Sequence, residues 1–150
     1  MPLSRDALDA FLAETHLCHF ATVDDRGSIR VRPLWYLWRD GAFWLTTRME
    51  VRHTGRDLKN TDNATLSIAS EGKPYKAVVA SGPIEIVGKD ETLLRDISSR
   101  YGNEGSWLAM SMKEPDRVAF KLTPATLLTW DYGQGDYGRQ NQGESMRTRL

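Results

Sequence analysis

A single cysteine, Cys18, stands in the whole chain of 150 residues, so no intrachain disulfide framework can form. A lone unbridged thiol is the usage of a reducing compartment, and the expected location is cytoplasmic. Cys18 lies in an apolar run beside Phe20, where it reads as a small buried hydrophobe rather than a nucleophile. An excess of one charge is also missing: Lys plus Arg equals Asp plus Glu, at 20 each. Such a balance indicates neither nucleic acid nor an anionic membrane surface as a partner. No apolar run is long enough to span a bilayer, and the first residues lack the apolar centre of a signal peptide. There is no Gly-x-Ser-x-Gly elbow, no P-loop and no Rossmann fingerprint. His16 and His19 are three apart but have no clustered carboxylate or thiol beside them, so no metal site is expected.

What is present is a composition 40% hydrophobic, ordinary for a globular chain with one core. The expected division is one domain over residues 1–132 and a polar, Gly-rich tail over 133–150. That tail has almost no aliphatic side chains. Two readings stand for it: disorder, or turns at the repeated Asp-Tyr-Gly laid on a neighbouring subunit. Ser4 caps a first helix, with Leu3 and Leu8 as a hydrophobic staple and Leu8, Phe11 and Leu12 as its buried stripe. Strands are expected over Leu17–Asp24, Ala64–Ala69, Tyr75–Val87, Arg117–Leu122 and Leu127–Trp130. Gly82-Pro83 marks a bend inside the longest of them. Helices are expected from Asp90 to about Tyr101 and from Trp107 to Lys113, separated at Asn103-Glu104-Gly105.

The organising stretch runs from Gly27 to Leu58. It reads as one strand from Ser28 to Trp38, a tight turn at Asp40-Gly41, a strand from Phe43 to Thr47, and a helix. On that helix Arg48, Arg52, Arg56 and Lys59 fall on one side, beside an apolar stripe of Val51, Gly55 and Leu58. Thr46 and Thr47 sit where the strand ends. Hydroxyls, a helix start and clustered cations make a plausible seat for a phosphate or carboxylate. The competing reading of the arginines is a solvated surface stripe. Antiparallel strands with a Gly-Pro bend and few helices imply a mainly β fold, a small barrel with helices at its ends.

With these segments in place, the pattern resembles the flavin-binding split-barrel proteins of the pyridoxamine 5'-phosphate oxidase-like family. The resemblance spans roughly Ser4 to Tyr132. It rests on ATVDDRGSIRVRPLWYLWRDGAFWLTT, the basic segment, ATLSI, PYKAVVASGPIEIV, RYG and KLTPATLLTWDYG in that order and spacing. The half from PYK to WDYG is similar to the branch some of whose members use the deazaflavin F420 rather than FMN. The resemblance implies a split β-barrel of six or so antiparallel strands, and a homodimer with a cofactor at its interface. The phosphate would be held by the basic segment, and the flavin would do the redox chemistry on a small-molecule substrate.

On that resemblance Arg52, Arg56 and Thr47 grip the phosphate, Arg48 and Thr46 assist, and His53 is a secondary candidate. The Arg32, Pro33, Leu34 and Trp35 segment borders the ring. Trp107 and Trp130 either bring an aromatic to the ring or pack as ordinary large side chains. The chain departs from the family pattern at Thr54, where relatives have Lys, and at Asp57-Leu58, where they have Asn-Leu. The first change removes a phosphate point charge and the second adds a nearby anion. The expected activity is therefore hydride transfer by FMN, or by F420. Its rivals are a non-catalytic carrier of flavin or another small ligand, and a cofactor-free dimerisation module.

Overall fold

A computed structural model describes residues 2–102 and 105–134. The first helix, α1 (Arg5–Ala13), is capped by Ser4, whose hydroxyl accepts from the Ala7 N–H at 3.2 Å. Leu8, Phe11 and Leu12 are buried, and so is Leu3 before the cap. The helix has no basic residue in its last turn. Arg100 supplies the missing cation, donating to the carbonyls of Leu12 at 3.0 Å and Ala13 at 3.1 Å. Part of the RYG motif is thereby a cap for a distant helix.

Strands β1 (Cys18–Val23) and β2 (Ile29–Leu34) pair antiparallel around a turn in which the Asp24 carboxylate accepts from the N–H groups of Arg26 and Ser28. The continuous strand expected from Ser28 to Trp38 is not formed. The chain leaves the ladder at Trp35-Tyr36 and resumes as β3 (Leu37–Arg39). Tyr36 is fully buried, its hydroxyl donates to the Leu12 carbonyl, and its N–H donates to the Tyr101 hydroxyl at 3.1 Å. Core packing at this residue overrides the alternation of a single strand, and β2 and β3 end on opposite edges of the sheet.

The hairpin from β3 to β4 (Ala42–Arg48) turns at Asp40 and Gly41, both with positive φ, 54° and 72°. Two such residues in a row make the turn whose twist matches antiparallel strands, as Asp-Gly predicts. The helix that follows, α2 (His53–Leu58), is shorter than expected. Arg48 belongs to β4, Arg52 and Lys59 flank the helix as its caps, and of the four predicted cations only Arg56 lies within it. Val51 is 52% exposed and joins no apolar stripe, while Gly55 and Leu58 are buried. The cause is Asp116, whose carbonyl accepts from the Met49 N–H while its carboxylate holds the Arg48 side chain. Those bonds keep Arg48 in the strand and hold Met49 in the turn that follows it. Gly55 then packs on the Met49 backbone, where an added Cβ would meet the Met49 Cα at 2.5 Å.

The rest comprises β5 (Asn63–Ala69), β6 (Lys76–Gly88), α3 (Glu91–Arg100), α4 (Ser106–Lys113), β7 (Arg117–Leu122) and β8 (Thr126–Asp131). The strands join in the order β2-β1-β5-β6-β7-β4-β3, with β8 also on β6. The path is open, so the architecture is a mainly antiparallel split barrel with peripheral helices. The long strand β6 serves both halves: residues up to Ser81 pair with β8, and residues from Ile84 pair with β7. The predicted Gly82-Pro83 bend lies at this exchange. The turn between β7 and β8 presses on Gly82 so closely that a Cβ would stand 2.0 Å from the Thr123 carbonyl oxygen.

One core gathers α1 with Phe20, Tyr36, Phe43, Leu45, Leu66, Ile68 and Phe120 inside the barrel. A second packs Leu93 and Ile97 of α3 on Ala119, with Trp35, Tyr101 and Trp107 against them. Among the described residues no helix is long and apolar enough to cross a membrane. Of the tail expected over residues 133–150, Gly133 and Gln134 are described; the rest of it, with the second Asp-Tyr-Gly, and the Asn103-Glu104 break lie outside the described residues.

Candidate functional site

Strand β2 ends at Leu34, and the exit of the chain toward β3 opens a cleft. Pro33, Leu34 and Trp35 form one wall, Thr46 and Arg117 stand on the paired strands β4 and β7, and Leu17 and Trp107 complete it. Its volume is about 520 Å³, within the range of small-molecule sites, which are typically apolar with a few polar groups. The Trp35 indole is held flat against the Tyr101 ring, with centroids 4.9 Å apart and planes 9° apart, and Trp107 meets it edge-on at 5.1 Å. The Tyr101 hydroxyl donates to the His16 carbonyl at 2.6 Å, tying the loop that carries Leu17 to the same cluster. Thr46 points into the cleft because even-numbered residues of β4 face away from the barrel core, and its hydroxyl donates to the Val118 carbonyl.

The other end of β2 faces α2. A groove of about 230 Å³ there is lined by Asp25, Arg30, His53, Arg56, Asp57 and Asn60. Under it lies a buried ionic cluster. Asp57 is only 3% exposed, and its carboxylate accepts from Thr22 at 2.7 Å and from Arg32 at 3.1 Å. Arg32 also donates to the Thr22 hydroxyl at 2.7 Å. Burial pulls the Arg32 guanidinium below its ordinary value, while the hydrogen bond to Asp57 works the other way. Arg30 bridges to Asp24 at 3.1 Å and reaches the His53 imidazole.

Of the residues expected at the site, Pro33, Leu34, Trp35, Thr46 and Trp107 are brought together in the cleft, and His53 and Arg56 meet in the groove. The other five line neither cavity. Arg32 is engaged by Asp57 and Thr22. Arg48 is engaged by Asp116 at 3.0 Å and by Glu114. Burial raises the Asp116 carboxyl, but the Glu50 N–H and Arg48 outweigh it and leave the group below its ordinary range. Thr47 is buried on the core face of β4, and Arg52 is exposed at the start of α2. Trp130 is half-buried on the outer face of β8, where its neighbour in register on β6 is Ala77.

Sequence reasoning missed Leu17 and Arg117, which tertiary packing brings to the cleft, and it gave Arg30 no role. Alternation along β2 puts Arg30 and Arg32 on one face, but Arg30 bridges mainly to Asp24 and is the more exposed, while Arg32 is bound by Asp57. Asp57, read as an added anion near the phosphate, has its charge matched by Arg32. The buried Cys18 thiol is pushed up to about 12 by desolvation, which leaves it inert.

A family model described as pyridoxamine 5'-phosphate oxidase matches residues 4–131. No curated protein matches the chain. Among solved structures, an F420 reductase superposes with a TM-score of 0.67 at 22% identity, covering 79% of this chain and 94% of its own. A FAD-binding protein from Mesorhizobium loti gives 0.62 at 17%, covering 85% and 94%. A heme storage protein from Vibrio cholerae gives 0.65 at 19%, covering 87% and 95%. At these identities the likeness is one of fold.

Proposed function

The chain belongs to the pyridoxamine 5'-phosphate oxidase family, and on that premise we propose that it binds FMN, with F420 as the alternative, and transfers hydride to or from a small organic substrate. The observation that carries this reading is the pair of sites at the two ends of one strand. An apolar, aromatic cleft lies at Pro33–Trp35, and a polar groove at the strand's other end carries the Arg30 and Arg56 guanidiniums and the His53 imidazole. From Arg30 to Leu34 is four residues, roughly 13 Å at a strand's rise, a separation suited to a ring joined to a phosphate by an extended polyol arm.

When bound, a flavin or deazaflavin supplies the hydride-accepting or hydride-donating carbon-nitrogen ring. The chain's own work is placement. Pro33, Leu34, Trp35 and Trp107 offer a flat apolar wall that excludes water, and Thr46 adds one polar contact. Arg56, His53 and Arg30 hold the phosphate by charge-assisted hydrogen bonds.

The working unit in this reading is a homodimer. Ile29 and Val31 are 74% and 63% exposed on the outer face of the edge strand β2, and Val23 beside Ile29 is 44% exposed. By register Ala21, Thr65 and Ser81 continue that face, and so does Trp130. A second copy covering it would bring Trp130 to the subunit boundary. We assign the protein to the cytoplasm on its lone unbridged thiol.

The test is equilibrium binding of FMN and F420 in parallel to the cofactor-free protein. Binding of either supports the reading, and turnover with a reduced nicotinamide then separates enzyme from carrier. Arg56→Ala should weaken the bound cofactor about ten-fold or more, the worth of a charge-assisted bond of ~1.5–3 kcal/mol. If the wild type binds neither cofactor, the reading is wrong.

A further inference from the structure

The groove beside α2 presents the guanidiniums of Arg30 and Arg56 and the His53 imidazole, yet two acids, Asp25 and the buried Asp57, line it as well. Asp57 is buried at 3% exposure, where many relatives in the resemblance above would have a neutral asparagine. A carboxylate placed at random there would repel a phosphate. Its contacts are not random. Oδ2 accepts from Thr22 at 2.7 Å and from Arg32 at 3.1 Å, and the Arg30 Nε lies at 3.9 Å. Arg32 spends its remaining reach on the Thr22 hydroxyl at 2.7 Å and on the Phe20 carbonyl at 3.4 Å. Its guanidinium is therefore turned into the barrel wall and away from the groove. Arg30, two residues earlier on the same face, is stretched between Asp57 and Asp24, its Nη2 on Asp24 at 3.1 Å. That leaves its Nη1 beside His53 at the groove.

We infer that Asp57 is a positioning residue for the anion groove: it withdraws Arg32 and aims Arg30, so that Arg30, His53 and Arg56 bind a phosphate monoester. The inference rests on the groove being the seat of the cofactor phosphate, as read above, but it assigns the ligands differently. Arg32 is a structural cation and Arg30 is a ligand. It also fixes a sign. Removing an acid from a basic groove strengthens anion binding if the acid only repels. It weakens anion binding if the acid holds a ligand in place.

The experiment compares the affinity of FMN with that of riboflavin, which lacks only the phosphate, so their ratio reports the groove alone. Asp57→Asn keeps the shape but replaces the ionic hold on Arg32 and Arg30 with a single neutral acceptor. The expected result is a fall of about five-fold or more in the FMN-to-riboflavin ratio, with riboflavin affinity little changed. Asp24→Asn, outside the Asp57 cluster, releases the other tether of Arg30 and should lower the ratio in the same direction, which keeps the test alive if the first variant does not fold. A ratio that rises in Asp57→Asn, or stays level in both variants, overturns the inference.

If the wild type binds neither flavin, the cofactor reading fails by itself, and inorganic phosphate becomes the probe. Phosphate should then shift the Arg30 side-chain NH and His53 ring NMR signals in the wild type, and shift them less in both variants. Phosphate that moves neither signal, or moves both equally in every protein, overturns the inference as well.

Discussion

Arg32→Met is the substitution that separates a structural arginine from a ligand. The Arg32 side chain is 17% exposed and the Asp57 side chain 4%, so the pair is largely out of water. Removing one member of a buried pair leaves the other charged and uncompensated, at a cost of ~3–5 kcal/mol. The remaining Thr22 bond to Asp57 at 2.7 Å and the partial exposure of Arg32 argue for the lower end, about 3 kcal/mol. In a domain of this length 1 kcal/mol moves the midpoint by ~2–4 °C, so Tm should fall by roughly 6–12 °C. Urea denaturation of the wild type, Arg32→Met, Asp57→Leu and the double variant is the assay. The double variant removes both charges, and apolar replacement of a whole pair is often neutral. It should therefore be more stable than either single variant, giving a coupling well above the few tenths of a kcal/mol of independent sites. A loss below about 1 kcal/mol in Arg32→Met, or additive single effects, would falsify the claim that Asp57 depends on Arg32.

Further expectations concern other parts of the molecule. Gly82→Ala forces a methyl to 2.0 Å from the Thr123 carbonyl oxygen, so the variant should lose ~2–3 kcal/mol or fail to fold; a melting temperature equal to the wild type's would contradict the close approach. If the proposed homodimer forms through the outer face of β2, the wild type should be a dimer by light scattering and Val31→Glu a folded monomer at the same concentration; an unchanged mass would move the interface elsewhere. The native Cys18 thiol, fully buried and pushed up to about 12, should resist iodoacetamide at pH 8 until denaturant is added, and rapid native labelling would refute its burial. The Ser28 N–H, with the Arg26 N–H and the Arg30 guanidinium, holds the Asp24 carboxyl below its ordinary range. A depressed folded value gives stability that is complete above the unfolded pKa of about 3.9 and is lost as pH falls through the folded value. The stability gap between wild type and Asp24→Asn should therefore narrow as pH falls below the unfolded pKa of about 3.9, and a constant gap would show that the charge plays no part.

Much of the fold was legible because its signals are local. The Ser4 cap, the Asp40-Gly41 turn and the Asp90 helix start each depend on a few adjacent residues. The Gly82-Pro83 bend was legible for the same reason, although its cause, the Thr123–Ala125 backbone resting on Gly82, was not. The site was half legible. Pro33, Leu34, Trp35, Thr46 and Trp107 were named and do share a cleft, while Arg117 and Leu17 arrive there from other elements. The basic segment misled in one respect. Four cations at helical spacing gave a helix face, but the helix begins five residues later than Arg48.

The chain's composition and spacing determined its class: a single free thiol, balanced charge, antiparallel strands with tight turns, and cations gathered near one loop. Which cations remain available was decided only in three dimensions. Arg32 and Arg48 look as free as Arg56 when read along the chain, yet the first is claimed by Asp57, 25 residues away, and the second by Asp116, 68 residues away. The physical reason is that a charge near a sheet must be matched before it leaves water. The partner that matches it is set by strand register and helix docking, not by neighbours in sequence.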